Sequence, residues 1–143
     1  KIIIYMVLGV SVNYLAVLIV ALVNFFIGFL WYGPLFGKVW IKAMKFGDKD
    51  MKKAKEKGMA WPMFIALITS IVTSFILVVF VGLTGANSVL NGAFVGILVW
   101  LGFFLTTSIG SMLWEGKSAS LFCINTTYDL VRFIIMAGIL ASW

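Results

Sequence analysis

The 143-residue chain is 63% hydrophobic and 11% charged, whereas soluble domains are about half apolar and about a quarter charged. A soluble fold of this size lacks the interior to bury so much apolar surface, so the composition excludes an ordinary globular domain and predicts a membrane protein. The net charge of +6 does not indicate nucleic-acid binding, because eight of the eleven basic residues lie in one segment, residues 38–57.

Four apolar runs follow one another along the chain, and each has the roughly 20 residues that a helix needs to cross a bilayer core. Because backbone groups in lipid must satisfy their hydrogen bonds internally, these runs predict helices rather than strands. The predicted fold class is an all-α integral membrane protein, a single domain over residues 1–143 with four transmembrane helices in an antiparallel bundle. The predicted spans are residues 10–32, 60–84, 89–114 and 119–143.

The first apolar run, residues 2–32, is longer than one perpendicular crossing requires. As a continuous helix it would be about 46 Å long, against a hydrocarbon core of roughly 30 Å. Two arrangements fit this length: a strongly tilted helix, or an extra segment over residues 2–12 ahead of a core span that begins near Asn13. We favour the second arrangement.

The charges of the connecting loops predict an orientation. Residues 33–59 carry eight lysines against three acidic residues, which is typical of a cytoplasmic loop. Residues 85–88 are uncharged and residues 115–118 hold one lysine, so the first of these connections is predicted outside and the second inside. We therefore expect a multi-pass protein of the prokaryotic cytoplasmic (inner) membrane with both termini on the outer face.

The basic loop at residues 33–59 is predicted to lie at the membrane interface. Its lysines suit anionic lipid headgroups, and tryptophan rings are common at headgroup depth. The predicted headgroup contacts are Lys38, Lys42, Lys45, Trp31 and Trp40. Pro34 is predicted to end the first helix. A short interfacial helix is expected over residues 39–46, and residues 48–57 form either a further polar helix or a mobile charged linker.

Two opposite charges, Asp129 and Arg132, interrupt the fourth apolar run near its midpoint. Each charge at the centre of a bilayer costs on the order of 3 kcal/mol on insertion scales. Residues three apart on a helix share one face, so the two side chains can pair. With nearby polar groups they form the candidate mid-membrane polar site: Asp129, Arg132, Asn125, Tyr128 and Asn24.

Two functions fit this pair. It can be a clamp that fixes helix packing in a non-catalytic packing or accessory subunit, which we prefer because the pair neutralises itself. Alternatively, a small transporter or channel uses the polar layer around Asp129 and Arg132. A transporter requires a water-accessible cavity between helices that reaches this depth, whereas a clamp requires a dry, closed pair.

Small and hydroxylated residues in the middle spans predict close helix packing. Gly92 and Gly96 are four apart, as in membrane helix dimers, and Gly102 begins a second set. These glycines can pack within the chain or between copies, so a homo-oligomer or a membrane protein partner is expected. Serines and threonines of the second and third runs, among them Ser70, Ser74, Thr106 and Thr107, can complete a polar layer across the bundle.

Nothing in the sequence indicates catalysis. The chain has no histidine and one cysteine, Cys123, so neither a His/Cys metal site nor an intrachain disulfide can form. Cys123 is interpreted as a small apolar packing residue. No motif for a nucleophile or a phosphate-binding loop occurs. We therefore expect no enzyme activity, catalytic residue, metal or cofactor.

The chain resembles the family called domain of unknown function 1761. The resemblance is carried by NYLAVLIVALVNFFIGFLWYGPLFGKVW, LVWLGFF, MLWEGKS and LFCINTTYDLVRFIIMAGILASW, and it covers nearly everything from Asn13 onward. It implies a small prokaryotic four-helix membrane protein with no established activity, and it adds no catalytic residue. Residues before Asn13 resemble an extension to the family pattern.

Overall fold

The computed structural model describes residues 9–143, and the side chains of all of these except residues 48, 51, 54 and 55. All the regular secondary structure of the described chain is helical, with no strand. Two of its helices continue into short π-helical segments, at Trp31–Leu35 and Trp100–Leu105. The α-helices are Tyr14–Leu30, Gly37–Ala43, Asp48–Lys57, Ala60–Thr84, Val89–Val99, Thr106–Trp114 and Ala119–Ser142.

Four helices in the described residues are long and apolar enough to cross a membrane, as the composition predicts. They have 22 to 26 residues each, with a mean hydropathy between 1.3 and 2.8 over their most apolar windows. We call them the first, second, third and fourth spans. Their bounds are Tyr14–Leu35, Ala60–Thr84, Val89–Trp114 and Ala119–Ser142.

Polar caps explain where three of the four spans begin. Asn13 accepts hydrogen bonds through Oδ1 from the amides of Leu15 and Ala16, so the first helix starts at Tyr14 rather than at residue 10. Ser88 and Ser118 cap the third and fourth spans in the same way.

Residues 9–12, which precede the first span, are not helical. Val10 and Val12 are nevertheless buried, and Val10 packs so closely on Gly82 of the second span that a Cβ there would lie 2.4 Å from Val10 Cγ1. The rest of the predicted extra segment, residues 2–8, lies outside the described residues.

Pro34 is predicted to end the first helix, but the first span continues one residue further, to Leu35. The chain passes through Pro34 in a π-helical turn, in which the amide of Phe36 bonds to the carbonyl of Trp31 at 2.8 Å. The wider turn accommodates a residue that has no N–H and whose ring crowds the preceding turn. The short helix predicted for the interface begins at Gly37, two residues earlier than expected, and residues 48–57 are helical rather than a linker.

The fourth span contacts each of the other three spans and contributes much of the core. Its Phe133, Met136 and Ala137 are at most 2% exposed, and they meet Val20 of the first span and Leu77 of the second in one apolar cluster. The third span is the least buried, with 17% of its most apolar window inside the protein against 39% for the fourth. Most of the third span therefore faces outward.

Glycines set the contact between the third and fourth spans. A Cβ on Gly92 would lie 2.2 Å from the carbonyl oxygen of Ala137, and one on Gly96 would lie 2.3 Å from that of Phe133. The helix backbones thus touch where these two glycines lie, as small-residue spacing predicts. A Cβ on Gly102 or Gly110 would meet nothing within 4 Å in the described chain, so neither glycine packs within it.

Candidate functional site

Two buried hydrogen bonds join the first and second spans. Asn24 Nδ2 donates to Ser70 Oγ, and Ser74 Oγ donates to the carbonyl of Val17, both at 2.9 Å. Asn24 is 4% exposed, and its Oδ1 is buried without a hydrogen-bond partner among the described residues. An unsatisfied buried acceptor is uncommon in folded proteins, because its lost hydration costs about 1–3 kcal/mol.

A cavity of about 580 Å³ lies between the first, second and fourth spans, and Asn24 is one of the residues that line it. Its lining runs from Met59, at the start of the second span, to Thr73, near the middle of that helix. Polar and small residues of three spans line it: Asn24 and Gly28, Ala66 and Ser70, Tyr128 and Arg132. The cavity therefore joins the end of the protein near the basic loop to its polar interior.

Asp129 and Arg132 form an ion pair in which Arg132 Nε donates to Asp129 Oδ1 at 2.8 Å. The side chains are 17% and 12% exposed, so the expectation of a buried pair needs correcting to a half-buried one. Both residues belong to the fourth span. The pair therefore lies within one helix and does not by itself join two helices.

Aromatic rings surround the Arg132 guanidinium. Its Cζ lies 4.5 Å from the ring centre of Phe133 and 5.3 Å from those of Phe104 and Tyr128. Such contacts stabilise a cation by about 0.5–2 kcal/mol each. Among the described residues the guanidinium makes one hydrogen bond, through Nε. Arg132 lines the cavity and Asp129 does not, so the charge presented to the cavity is positive.

The structure brings together only part of the predicted polar site. Asn24, Tyr128 and Arg132 line the cavity. Asn125 instead accepts a hydrogen bond at 2.9 Å from the Tyr32 hydroxyl, and Asp129 is not among the residues that line the cavity. Tyr32 also lines the cavity, although the sequence predicts for it only an aromatic ring at headgroup level. A tyrosine two residues before Pro34 can indicate the membrane interface as readily as a binding site, so the sequence pattern alone could not identify Tyr32 as part of the site.

The polar layer does not extend to the third span. Thr106 and Thr107 are exposed, and their hydroxyls bond to carbonyls of their own helix. The prediction for Cys123 is also wrong, because this residue is exposed rather than packed. Hydroxyl and thiol groups occur on all sides of membrane helices, so their presence does not indicate which side faces the interior.

Two tryptophan side chains connect the π-helical segments to the fourth span by hydrogen bonds. Trp31 Nε1 donates to the carbonyl of Ile124 at 3.2 Å, and Trp100 Nε1 donates to that of Thr126 at 2.9 Å. Each tryptophan is the first residue of its π-helical segment. The indole of Trp31, a predicted headgroup contact, therefore uses its N–H inside the protein. Trp100 was missed, although a tryptophan N–H in apolar surroundings generally has a partner.

The short helix Gly37–Ala43 packs near the cavity. It contacts the π-helical segment and the fourth span, and the ring of Trp40 lies 5.6 Å from that of Tyr32. The other predicted headgroup contacts are exposed: Lys38, Lys42 and Lys45. Whether they touch lipid stays a prediction.

The connection between the third and fourth spans carries a surface ion pair. Lys117 Nζ lies 2.7 Å from Glu115 Oε2, and both side chains are largely exposed. The hydrogen bond from Lys117 lowers the pKa of Glu115 below its usual value. Since the pair cancels its own charge, the basic loop remains the main positive surface of the described residues.

Comparison with known proteins identifies a family. No curated protein and no solved structure matches the chain. The family described as "Protein of unknown function (DUF1761)" matches residues 15–141, which includes all four spans apart from a few terminal residues. The match covers most of the chain, and the chain therefore belongs to the DUF1761 family.

Proposed function

We propose that the protein is a small membrane transporter that receives a solute in the cavity between its first, second and fourth spans. The observation that supports this most is the cavity itself, about 580 Å³ in volume and lined by both Arg132 and Asn24. A water-accessible cavity between helices that reaches the depth of the charged pair is the feature that distinguishes a transporter from a closed clamp. The geometry thus favours the function that the sequence alone ranks second.

The position of the ion pair also argues against a simple clamp. Asp129 and Arg132 lie on one helix, whereas the hydrogen bonds between spans involve other side chains. Ser74, Trp31 and Trp100 bond directly to backbone carbonyls of neighbouring spans. Packing is therefore supported by uncharged groups, and the charged pair is available for another role.

We propose further that the four spans form an antiparallel bundle in the prokaryotic inner membrane, with the basic loop in the cytoplasm and both termini outside. The lysine excess of residues 38–57 supports this orientation. It would set Asp129 and Arg132 at mid-membrane and the lysines against anionic headgroups. The proposed role is not enzymatic, because the sequence has no histidine and carries no catalytic motif.

A packing or accessory subunit is the second candidate function, and the exposure of the third span favours it. This span is the least buried, and Gly102 and Gly110 face no atom of the described chain within 4 Å. Small residues on an outward face let another helix approach closely. A homo-oligomer or a membrane protein partner can therefore pack there, and this is compatible with transport.

Cysteine accessibility separates the two candidates. In a Cys123→Ser background, Ala66→Cys puts a thiol on the cavity lining, and Ile68→Cys puts one on an exposed part of the same helix away from the cavities. A water-soluble methanethiosulfonate reagent is then added to membrane vesicles of either orientation. A transporter predicts at least about tenfold faster modification of Ala66→Cys, since water enters the cavity but not the lipid core.

The reaction rates in the two vesicle orientations complete this test. Alternating access to the cavity predicts that Ala66→Cys reacts in both. Equally slow reaction of Ala66→Cys and Ile68→Cys would contradict transport and support the packing subunit.

A further inference from the structure

The cavity presents one charge to its contents. Of the described residues that line it, Arg132 is the only charged one, and its carboxylate partner Asp129 does not line it. The hydrogen bond to Asp129 uses Nε, so among the described residues the two Nη groups have no partner. Guanidinium groups bind carboxylates and phosphates through paired N–H donors. The charge chemistry of the cavity therefore suits an oxyanion.

One of the residues that line the cavity has an unsatisfied hydrogen-bond acceptor. Asn24 lines it, is 4% exposed, and has a buried Oδ1 without a partner in the described chain. The amide is held by its bond to Ser70, so it cannot turn away to water. If the amide were rotated, Nδ2 would be unsatisfied instead, so in either orientation one buried polar atom of Asn24 has no hydrogen-bond partner among the described residues.

The remaining walls are mostly apolar and aromatic. Phe25 and Phe29 contribute from the first span, and Met59 and Met63 from the second. A volume of about 580 Å³ lies in the range of pockets that enclose drug-sized molecules. A small inorganic anion would leave this apolar surface uncovered, whereas an organic body would cover it.

From these three features we infer that the cavity binds an amphipathic organic anion whose head carries both an oxyanion, for Arg132, and a hydroxyl or N–H donor, for Asn24. Its apolar body lies along the phenylalanines and methionines. The inference rests on the proposed function, since it names the class of solute that the same cavity would receive. The head can be a carboxylate or a phosphate, because the guanidinium accepts both.

The ligand class is tested with defined probes on the full chain in nanodiscs, with empty nanodiscs as the blank for partition into lipid. The probe is 3-hydroxydecanoate, titrated calorimetrically at pH 8. Decanoate lacks only the hydroxyl, and the methyl ester of 3-hydroxydecanoate lacks only the charge. We expect the parent protein to bind the probe about tenfold more tightly than either comparison molecule. Decyl phosphate, compared with decanoate, tells a phosphate head from a carboxylate head.

Variants assign each preference to its residue. Asn24→Leu should remove the preference for the hydroxyl, whereas Ser70→Ala, which breaks the same bond between spans, should keep it. Asp129→Asn/Arg132→Gln should remove the preference for the charge, whereas Asp129→Asn alone should keep it. Melting curves in the same nanodiscs show which variants are folded, and the comparison of probes on the parent protein does not depend on them.

The outcomes separate this inference from the proposed function. Equal binding of all three molecules by the parent protein would overturn the inference. If Ala66→Cys is nevertheless water-accessible, the proposed transporter stands with another class of solute. If Ala66→Cys is also inaccessible, both fail. Preferences that persist in Asn24→Leu and in the double variant would likewise overturn the assignment to these residues.

Discussion

Replacing Gly96 with alanine is expected to lower the free energy of unfolding by about 3 kcal/mol, at the upper end of the usual cost of overpacking. The added Cβ would lie 2.3 Å from the carbonyl oxygen of Phe133 and 2.7 Å from its carbonyl carbon. Because both obstructing atoms are backbone, the third and fourth spans must move apart. Reversible unfolding in detergent, followed by circular dichroism, measures the loss.

Gly102→Ala is the matched control for this prediction. It adds the same methyl group to the same span, where a Cβ meets nothing within 4 Å of the described chain. We expect a change of less than about 1 kcal/mol, of either sign. Equal destabilisation by Gly96→Ala and Gly102→Ala would contradict the packing of the third span on the fourth.

Asp129→Asn and Arg132→Gln are each expected to destabilise the protein by about 2 kcal/mol, and the double change should restore most of the loss. Breaking a fully buried pair costs about 3–5 kcal/mol, because one charge remains without its partner. The effect is smaller here since the side chains are 17% and 12% exposed. A double-mutant cycle on unfolding in nanodiscs gives the coupling energy between the two residues.

Two results of the double-mutant cycle would contradict the expected coupling between Asp129 and Arg132. If the three variants unfold with the same free energy as the parent, the 2.8 Å contact between Arg132 and Asp129 contributes nothing to stability. If the losses of the single variants simply add in the double variant, the two charges act independently. Either result would show that the Asp129 carboxylate does not stabilise the charge of Arg132 beside the cavity.

Much of the fold can be predicted from local sequence. Apolar runs of sufficient length predict the four helices, and Asn13 marks the start of the first one because a side-chain acceptor is needed there. The error at Pro34 has a local cause as well. A proline normally ends a helix, but a π-helical turn let the chain continue to Leu35.

The site could be predicted only in part, because an apolar helix shows little of its rotation. Asn24 and Ser70 are 46 residues apart. The hydropathy of the residues around each of them does not indicate which side of the helix is packed, so the local sequence does not predict their contact. Gly92 and Gly102 occur in similar small-residue patterns, yet only Gly92 touches the fourth span. Which side of each helix is packed depends on the helices around it, and the local sequence does not contain this information.

The central claim is that an open cavity between the first, second and fourth spans holds a ligand beside Arg132 and Asn24. A cryo-electron-microscopy map of the protein in nanodiscs, with a bound antibody fragment to provide size, tests it most directly. We predict a gap between Gly28 and Ala66, containing non-protein density that reaches the guanidinium. Helices in contact at Gly28 and Ala66, with no space beside Asn24, would contradict the claim.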